Sequence, residues 1–388
     1  MKKILFGAAL AASFCLSFSK PAAAQSQAQI QFVKGNISDK ITALKSSGDG
    51  SRAKKAVEFV IENSGLLKND RDLAALAVAG ILSYPIDIYQ NEPAATYKDF
   101  SAVFYGLDDM NVKVSVLDKI CALYERQAYT DWTAFVNGFL AQKISAGGAA
   151  DESVKKAVAA LGVVGNGSSF GDLYSILRQN IWVDLHPAAI DALTKIADKS
   201  LNEIFDVADK ADFVELKQLT KIFVKNDKIS AALRCEIAEK LLNRSMILAG
   251  NSSNSQDLAA FQLEAVSVLA QNKWTRAGGL AKDYFSVAKN AYNAKFLSAE
   301  QFTSAISCVE LLASRQAVAP LSEYLDQMNK AQEAGNAPDK AVVLAVINAL
   351  ANLGDKSSFD CLLYVTYVRD YPEEVAVAAR NALTRLKW

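Results

Sequence analysis

Apolar residues recur along this chain at spacings of three and four, while the strict alternation that marks a half-buried strand is nearly missing. The pattern predicts an all-α protein. One phrase occurs twice, as V-A-A-L-G-V-V-G-N-G-S-S-F-G-D-L at 158–173 and as I-N-A-L-A-N-L-G-D-K-S-S-F-D-C-L at 347–362. Ala160, Leu161, Gly165, Ser168, Ser169, Phe170 and Leu173 return without a gap as Ala349, Leu350, Gly354, Ser357, Ser358, Phe359 and Leu362. A fixed phrase of helix, tight turn and new helix marks a stacked array, because each unit buries its apolar face only against its neighbours.

Looser copies fill the interval. Ile306, Cys308, Val309, Leu312, Ala313 and Leu321 stand in the places of Val158, Ala160, Leu161, Val164, Gly165 and Leu173, and another copy runs from Ile190 through Ala192, Leu193, Ile196 and Ala197. First helices are expected near 71, 109, 151, 186, 228, 257, 298, 338 and 373, at intervals of roughly 30 to 45 residues, the length of a paired-helix repeat. Proline followed by acid at Pro338-Asp339 and Pro372-Glu373-Glu374 marks helix starts, and Pro187 behind Asp184 does the same. Gly165 and Gly354 suit a left-handed helix-closing position, with Ser168 and Ser357 as caps of the next helix. The last helix ends on Ala382, Leu383 and Leu386, and Trp388 is placed to cover the end of the array.

The A-x-x-A-L-G-x-x-G-x-x-S-S-F-x-x-L phrase resembles HEAT-type repeats, particularly their short bacterial form, over roughly residues 50–388 and most strongly at 151–180 and 338–388. The resemblance implies an α-solenoid of about eight to nine stacked antiparallel helix pairs, a HEAT-like superhelix, occupying residues 51–388. The first helices mostly lack the kinking proline of that family, and no ladder of Asp and Arg runs between units. Two stretches break the period: an aromatic one at 84–105, read as a packed loop, and the polar N-S-S-N-S-Q at 251–256. Residues 25–50 read as a flexible lead-in holding one short helix at 36–46.

Lys2 and Lys3 precede an apolar run from Ile4 to Phe18 that ends at Pro21 and the triplet Ala22, Ala23, Ala24. This is the pattern of a secretory signal peptide cleaved after Ala24, and it predicts an exported, periplasmic protein. The run is too short for a membrane anchor, and no later segment reaches about 18 uninterrupted apolar residues. A lipoprotein site at Cys15 is the weaker reading, because Phe14 stands where such sites carry a small residue. Removing Lys2, Lys3 and Lys20 from 42 basic side chains leaves the 42 acidic ones in slight excess, which argues against a nucleic-acid partner. Cys121, Cys235, Cys308 and Cys361 lie in apolar helical stretches without C-x-x-C spacing and are expected to be buried free thiols.

The chemistry is sparse. His186 is the sole histidine and precedes Pro187, so it reads as a capping or loop residue, and triads or histidine-bearing zinc sites lack their base or ligand. Asp108/Asp109 and Glu373/Glu374 are adjacent pairs whose side chains do not face one another on a helix. The glycines of G-V-V-G-N-G at 162–167 follow a helix and lack the G-K-[ST] of a phosphate loop. No catalytic residue, metal or cofactor is therefore assigned. Surface display remains: Tyr174, Arg178 and Trp182 form one stripe beside a helix core of Leu173, Ile176 and Leu177, and Tyr364, Tyr367 and Tyr371 line up at intervals of three and four. Their alternative role is packing between repeats. The expected function is a non-enzymatic exported binding or scaffold protein that recognises a protein of the periplasm or envelope. An envelope component binding peptidoglycan or polysaccharide, and a lyase-like or prosthetic-group-binding HEAT protein, are the rivals. Exposed coplanar tyrosines would favour sugar; a broad apolar groove with a polar rim would favour protein.

Overall fold

The structure, a computed structural model, describes residues 34–46, 50–251 and 255–387. The signal-peptide reading, Cys15, residues 25–33 and 47–49 of the 25–50 lead-in, the centre of the polar 251–256 segment and Trp388 lie outside them. The described chain is all-α, with helices packed on their sequence neighbours, and its one pairing of β type is an isolated bridge between Asp355 and Lys387. Helices begin at Arg71, Met110, Glu152, His186, Gln256, Ala299, Lys340 and Glu373, within two residues of eight of the nine expected starts. Two compact units divide the chain, Met1–Val136 with Ala150–Ala157, and Asn137–Ala149 with Val158–Trp388.

The first unit contains α1 (Ile37–Ser46), α2 (Gly50–Ser64), α3 (Arg71–Leu82), α4 (Ile86–Asn91), α5 (Pro93–Gly106) and α6 (Met110–Tyr124). Helices α1, α3 and α6 pack side by side, α2 packs on α5, and α2 and α3 form a hairpin. Asp70 and Asp109 cap α3 and α6 by accepting the backbone N–H of Leu73 at 2.8 Å and Val112 at 3.1 Å. The short helix expected at 36–46 is α1, and it buries Ala43 and Leu44.

The aromatic segment 84–105 is not a loop. Pro93 sits at the first position of α5, where its missing N–H costs nothing, and α5 is the second helix of a repeat. Tyr84, Tyr89, Phe100 and Phe104 are fully buried. Tyr84 meets Phe100 edge-on at 5.1 Å, and Tyr97 meets Trp132 at 5.0 Å. Edge-to-face pairing of this kind adds to the large area such rings remove from water.

Two helices, α7 (Asp131–Ala146) and α8 (Glu152–Val164), contribute residues to both units. The second unit continues with α9 (Gly167–Arg178), α10 (His186–Lys195), α11 (Leu201–Lys210), α12 (Phe213–Leu219), a π-turn (Thr220–Val224), α13 (Ala231–Asn251) and α14 (Gln256–Gln271). It ends with α15 (Gly278–Asn293), α16 (Ala299–Ala313), α17 (Val318–Glu333), α18 (Lys340–Leu353), α19 (Phe359–Val365) and α20 (Glu373–Leu383). In one layer α14, α16, α18 and α20 pack in succession, while α9, α11, α13 and α15 do so in the other. The start expected near 228 belongs to a second helix instead: the first helix of that repeat is α12 with its π-turn, which packs on α10. Lys225-Asn226-Asp227-Lys228 forms the turn between the π-turn and α13, and Asp212 caps α12 through Glu215 N at 2.8 Å.

The repeated phrase closes its turn by a different device from the expected one. Gly354 is left-handed, with φ +62°, whereas Gly165 is not; a Cβ there would lie 2.1 Å from the Leu161 carbonyl oxygen, so close approach excludes a side chain. The caps are Asn166 and Asp355, not Ser168 and Ser357. Leu161, Leu193, Val309 and Leu350, equivalent positions in four copies, are all fully buried. The four described cysteines are free thiols, three buried and Cys121 half-buried. Burial pushes Cys121 and Cys361 up to about 11, which keeps them protonated and unreactive.

Candidate functional site

Helix α3 reads R-D-L-A-A-L-A-V-A-G-I-L and has no polar face beyond its first turn. One side, Leu73, Leu76, Ala77, Gly80 and Ile81, is buried in the unit. The opposite side carries Ala75, Val78, Ala79 and Leu82, of which Ala75 and Leu82 are exposed. These residues floor a groove of about 830 Å³ whose walls come from α1 through Ile41 and Lys45 and from α6 through Val114. Lys45, Arg71 and Asp109 stand on its rim. Lys119 ties α6 to the end of α3 by donating to the Leu82 carbonyl oxygen at 3.2 Å, and burial lowers its pKa. Small side chains on the floor let another backbone approach closely, and opposite charges at the rim supply orientation.

The six residues expected to display a contact surface divide. Tyr174 is only 3% exposed, stacks on Phe170 at 5.4 Å, and lies 3.4 Å from both Glu215 Oε1 and Gln218 Oε1. Burial first, then the Glu215 carboxylate, raises its pKa. It is a packing residue between α9 and α12. Arg178 is exposed and pairs with Glu215 at 3.3 Å. Trp182 is half-buried, left-handed at φ +47°, and its indole Nε1 donates to the Gly148 carbonyl at 2.8 Å.

The tyrosine row at 364–371 does not form, because α19 ends at Val365 and the chain turns before Tyr371, with Asp370 at φ +73°. Tyr364 donates to Glu333 Oε2 at 2.5 Å, and Tyr371 donates to Asn329 Oδ1 at 3.2 Å. Burial pushes Tyr371 up to about 12. Tyr367 is 72% exposed.

His186 Nε2 lies 3.1 Å from the Ile181 carbonyl oxygen, so that nitrogen carries the proton and the ring fastens the turn before α10. Elsewhere in the second unit, Glu239 Oε2 accepts from Trp274 Nε1 at 2.8 Å and from Arg276 at 3.1 Å, with the guanidinium over the indole at 4.7 Å. Among the described residues no group of three or more His, Cys, Asp and Glu side chains is arranged to hold a metal ion, and no helix is long and apolar enough to cross a membrane.

The groove floor went unnoticed in the sequence because alanine and valine at helical spacing look like ordinary core. The available signal was the apolar character of α3 all the way round, since a helix with two apolar sides must either be enclosed or present one of them.

No family model matches the chain, and no curated protein matches it. One solved structure, described as "Computational Design of Self-Assembling Cyclic Protein Homooligomers", is similar at 13% identity, covering 90% of this chain and 92% of its own, with a TM-score of 0.11.

Proposed function

We propose that this protein is an exported, non-enzymatic binding or scaffold protein built of HEAT-like repeats, which recognises a protein partner in the periplasm or envelope. The observation that carries the reading is the α1–α3–α6 groove, an apolar floor with a rim of both charge signs. That composition is the one protein interfaces use, a dry centre surrounded by polar groups. Export rests on the Lys2-Lys3 start, the apolar run and the Ala22–Ala24 triplet. The repeat assignment rests on the twice-used phrase and the paired helices. Placement of His186 in a turn supports a non-catalytic role for the chain's one histidine.

A partner segment, helical or extended, would lie along α3 with its apolar side chains against Ala75, Val78 and Ala79. Site-specific photocrosslinking in intact cells, with the photoreactive residue at Ala75, tests this. A discrete protein adduct that disappears when Ala79→Arg is added supports the reading. Absence of any protein adduct, or an adduct indifferent to Ala79→Arg, defeats it.

A further inference from the structure

The helices around the α3 groove run in one direction, which fixes where the chain enters it. Asp108 N donates to the Lys68 carbonyl at 3.2 Å, so α6 starts beside the start of α3, and the Lys119 bond to Leu82 joins the two at the other end. Gly50, the first residue of α2, lies against Pro85 just beyond α3. Residues 47–49 alone connect it to Ser46, a span of about 14 Å at most. The last turn of α1 is therefore at the Leu82 end of the groove. Its first turn, at Ile37, is at the Arg71–Asp109 end.

The point of entry is capped from both sides: Asn36 N donates to Asp39 Oδ2 at 3.1 Å, and Asp39 N donates to Asn36 Oδ1 at 2.9 Å. Immediately before this turn, Gln25, Gln27, Gln29 and Gln31 alternate with Ser26, Ala28, Ile30 and Phe32. That is a period of two, not the helical period of the rest of the chain. An extended backbone places Ala28, Ile30 and Phe32 along one edge and the glutamines along the other.

Length and chemistry both match the groove. Residues 28–33 span about 20 Å when extended, and the 12 residues of α3 rise about 18 Å. Lys34 and Gly35 remain to reverse the chain into α1. The floor offers exposed Ala75 and Leu82 with half-buried Val78 and Ala79, small enough to leave room for an isoleucine and a phenylalanine above them. Residues 25–33 carry no charged side chain, and glutamine amides donate and accept at once, which suits a rim holding Lys45, Arg71 and Asp109.

We infer that residues 25–33 of this chain are the built-in occupant of the α1–α3–α6 groove, lying extended along α3 with Ala28, Ile30 and Phe32 on its floor, and that a partner must displace them. The inference rests on the reading of this groove as a peptide-binding surface. A tether this short holds the segment at roughly millimolar effective concentration, so an affinity of about 0.1 mM fills the groove about ten to one.

Ala75→Cys in the chain from Gln25 onward, labelled with a maleimide and followed by peptide mass spectrometry, tests it. Removal of residues 25–33 should speed labelling at that cysteine about tenfold, as should Ile30→Asp with Phe32→Asp. Gln29→Ala with Gln31→Ala, on the outer edge, should leave it slow. Circular dichroism should be the same throughout, since every variant keeps the Asn36–Asp39 cap and the buried Ala43 and Leu44. Equal labelling with and without residues 25–33 overturns the inference, and acceleration by the glutamine pair as large as by the apolar pair overturns the extended seating. Neither result bears on the photocrosslink from Ala75 to a separate protein, which stands or falls by its own adduct.

Discussion

Asn166 and Asp355 hold the same place in two copies of one phrase and make the same pair of bonds: Asn166 Oδ1 accepts Ser168 N at 2.9 Å and Ser168 Oγ at 2.8 Å, and Asp355 Oδ1 accepts Ser357 N at 3.0 Å and Ser357 Oγ at 2.8 Å. The serine hydroxyl is thus held by the cap and does not itself do the capping. Only one member of the pair titrates.

Asn166→Ala should lower stability by about 1 kcal/mol, the usual cost of losing a helix cap, measured by urea unfolding. Ser168→Ala, which keeps the backbone bond to Asn166, should cost less. A Ser168→Ala loss larger than that of Asn166→Ala would reverse the assignment.

Asp355 brings a pH dependence that Asn166 lacks. The Ser357 backbone and side-chain bonds hold its carboxyl below the ordinary aspartate value of 3.8. A folded pKa below the unfolded one gives stability that is complete above the unfolded value, about 3.9, and is lost as pH falls through the lower folded one. Asp355→Asn should therefore flatten the acid limb of the stability curve below that pH and leave its neutral region nearly level, as thermal melts across pH 2 to 7 would report.

Tyr174 and Arg178 are four residues apart on α9 but should respond oppositely to truncation. Tyr174→Ala empties a buried, stacked position and should cost about 3 kcal/mol or more. Arg178→Ala removes a largely exposed ion pair and should change stability by less than about 0.5 kcal/mol. Chemical denaturation of both single variants checks this; a stable Tyr174→Ala protein would mean that the ring lies at the surface.

Thiol reactivity offers an independent check on burial. With Cys121 and Cys361 pushed up to about 11, their thiolate fraction at pH 8 falls on the order of a hundredfold below that of a free cysteine. Native protein should accordingly react slowly with a disulfide reagent at these two positions, with rapid release after denaturant is added.

Much of the architecture could be read from the residues because turn chemistry is local. Asp70, Asp109 and Asp339 cap helices where acid stands before an apolar run, and the buried leucines of the repeated phrase keep their spacing. The failures came where local signals conflict with packing. The break in the repeat period made 84–105 look like a loop, yet Pro93 begins a helix and the rings around it fill a core. The tyrosine row at 364–371 assumed that a helical period continues, but α19 stops after seven residues. Surface positions were harder still. Tyr174 has the type of side chain that interfaces favour and lies inside, while the groove is floored by alanines, whose sequence carries no mark of which side of a helix meets solvent.

The alanines of α3 also determine how an encounter there would proceed. Their side chains have no rotamers to freeze, and Val78 has few. A visitor would meet the same bed before and after it arrived, so under the proposed function discrimination at this spot would work by refusing bulk that does not fit, with no closing motion to wait for.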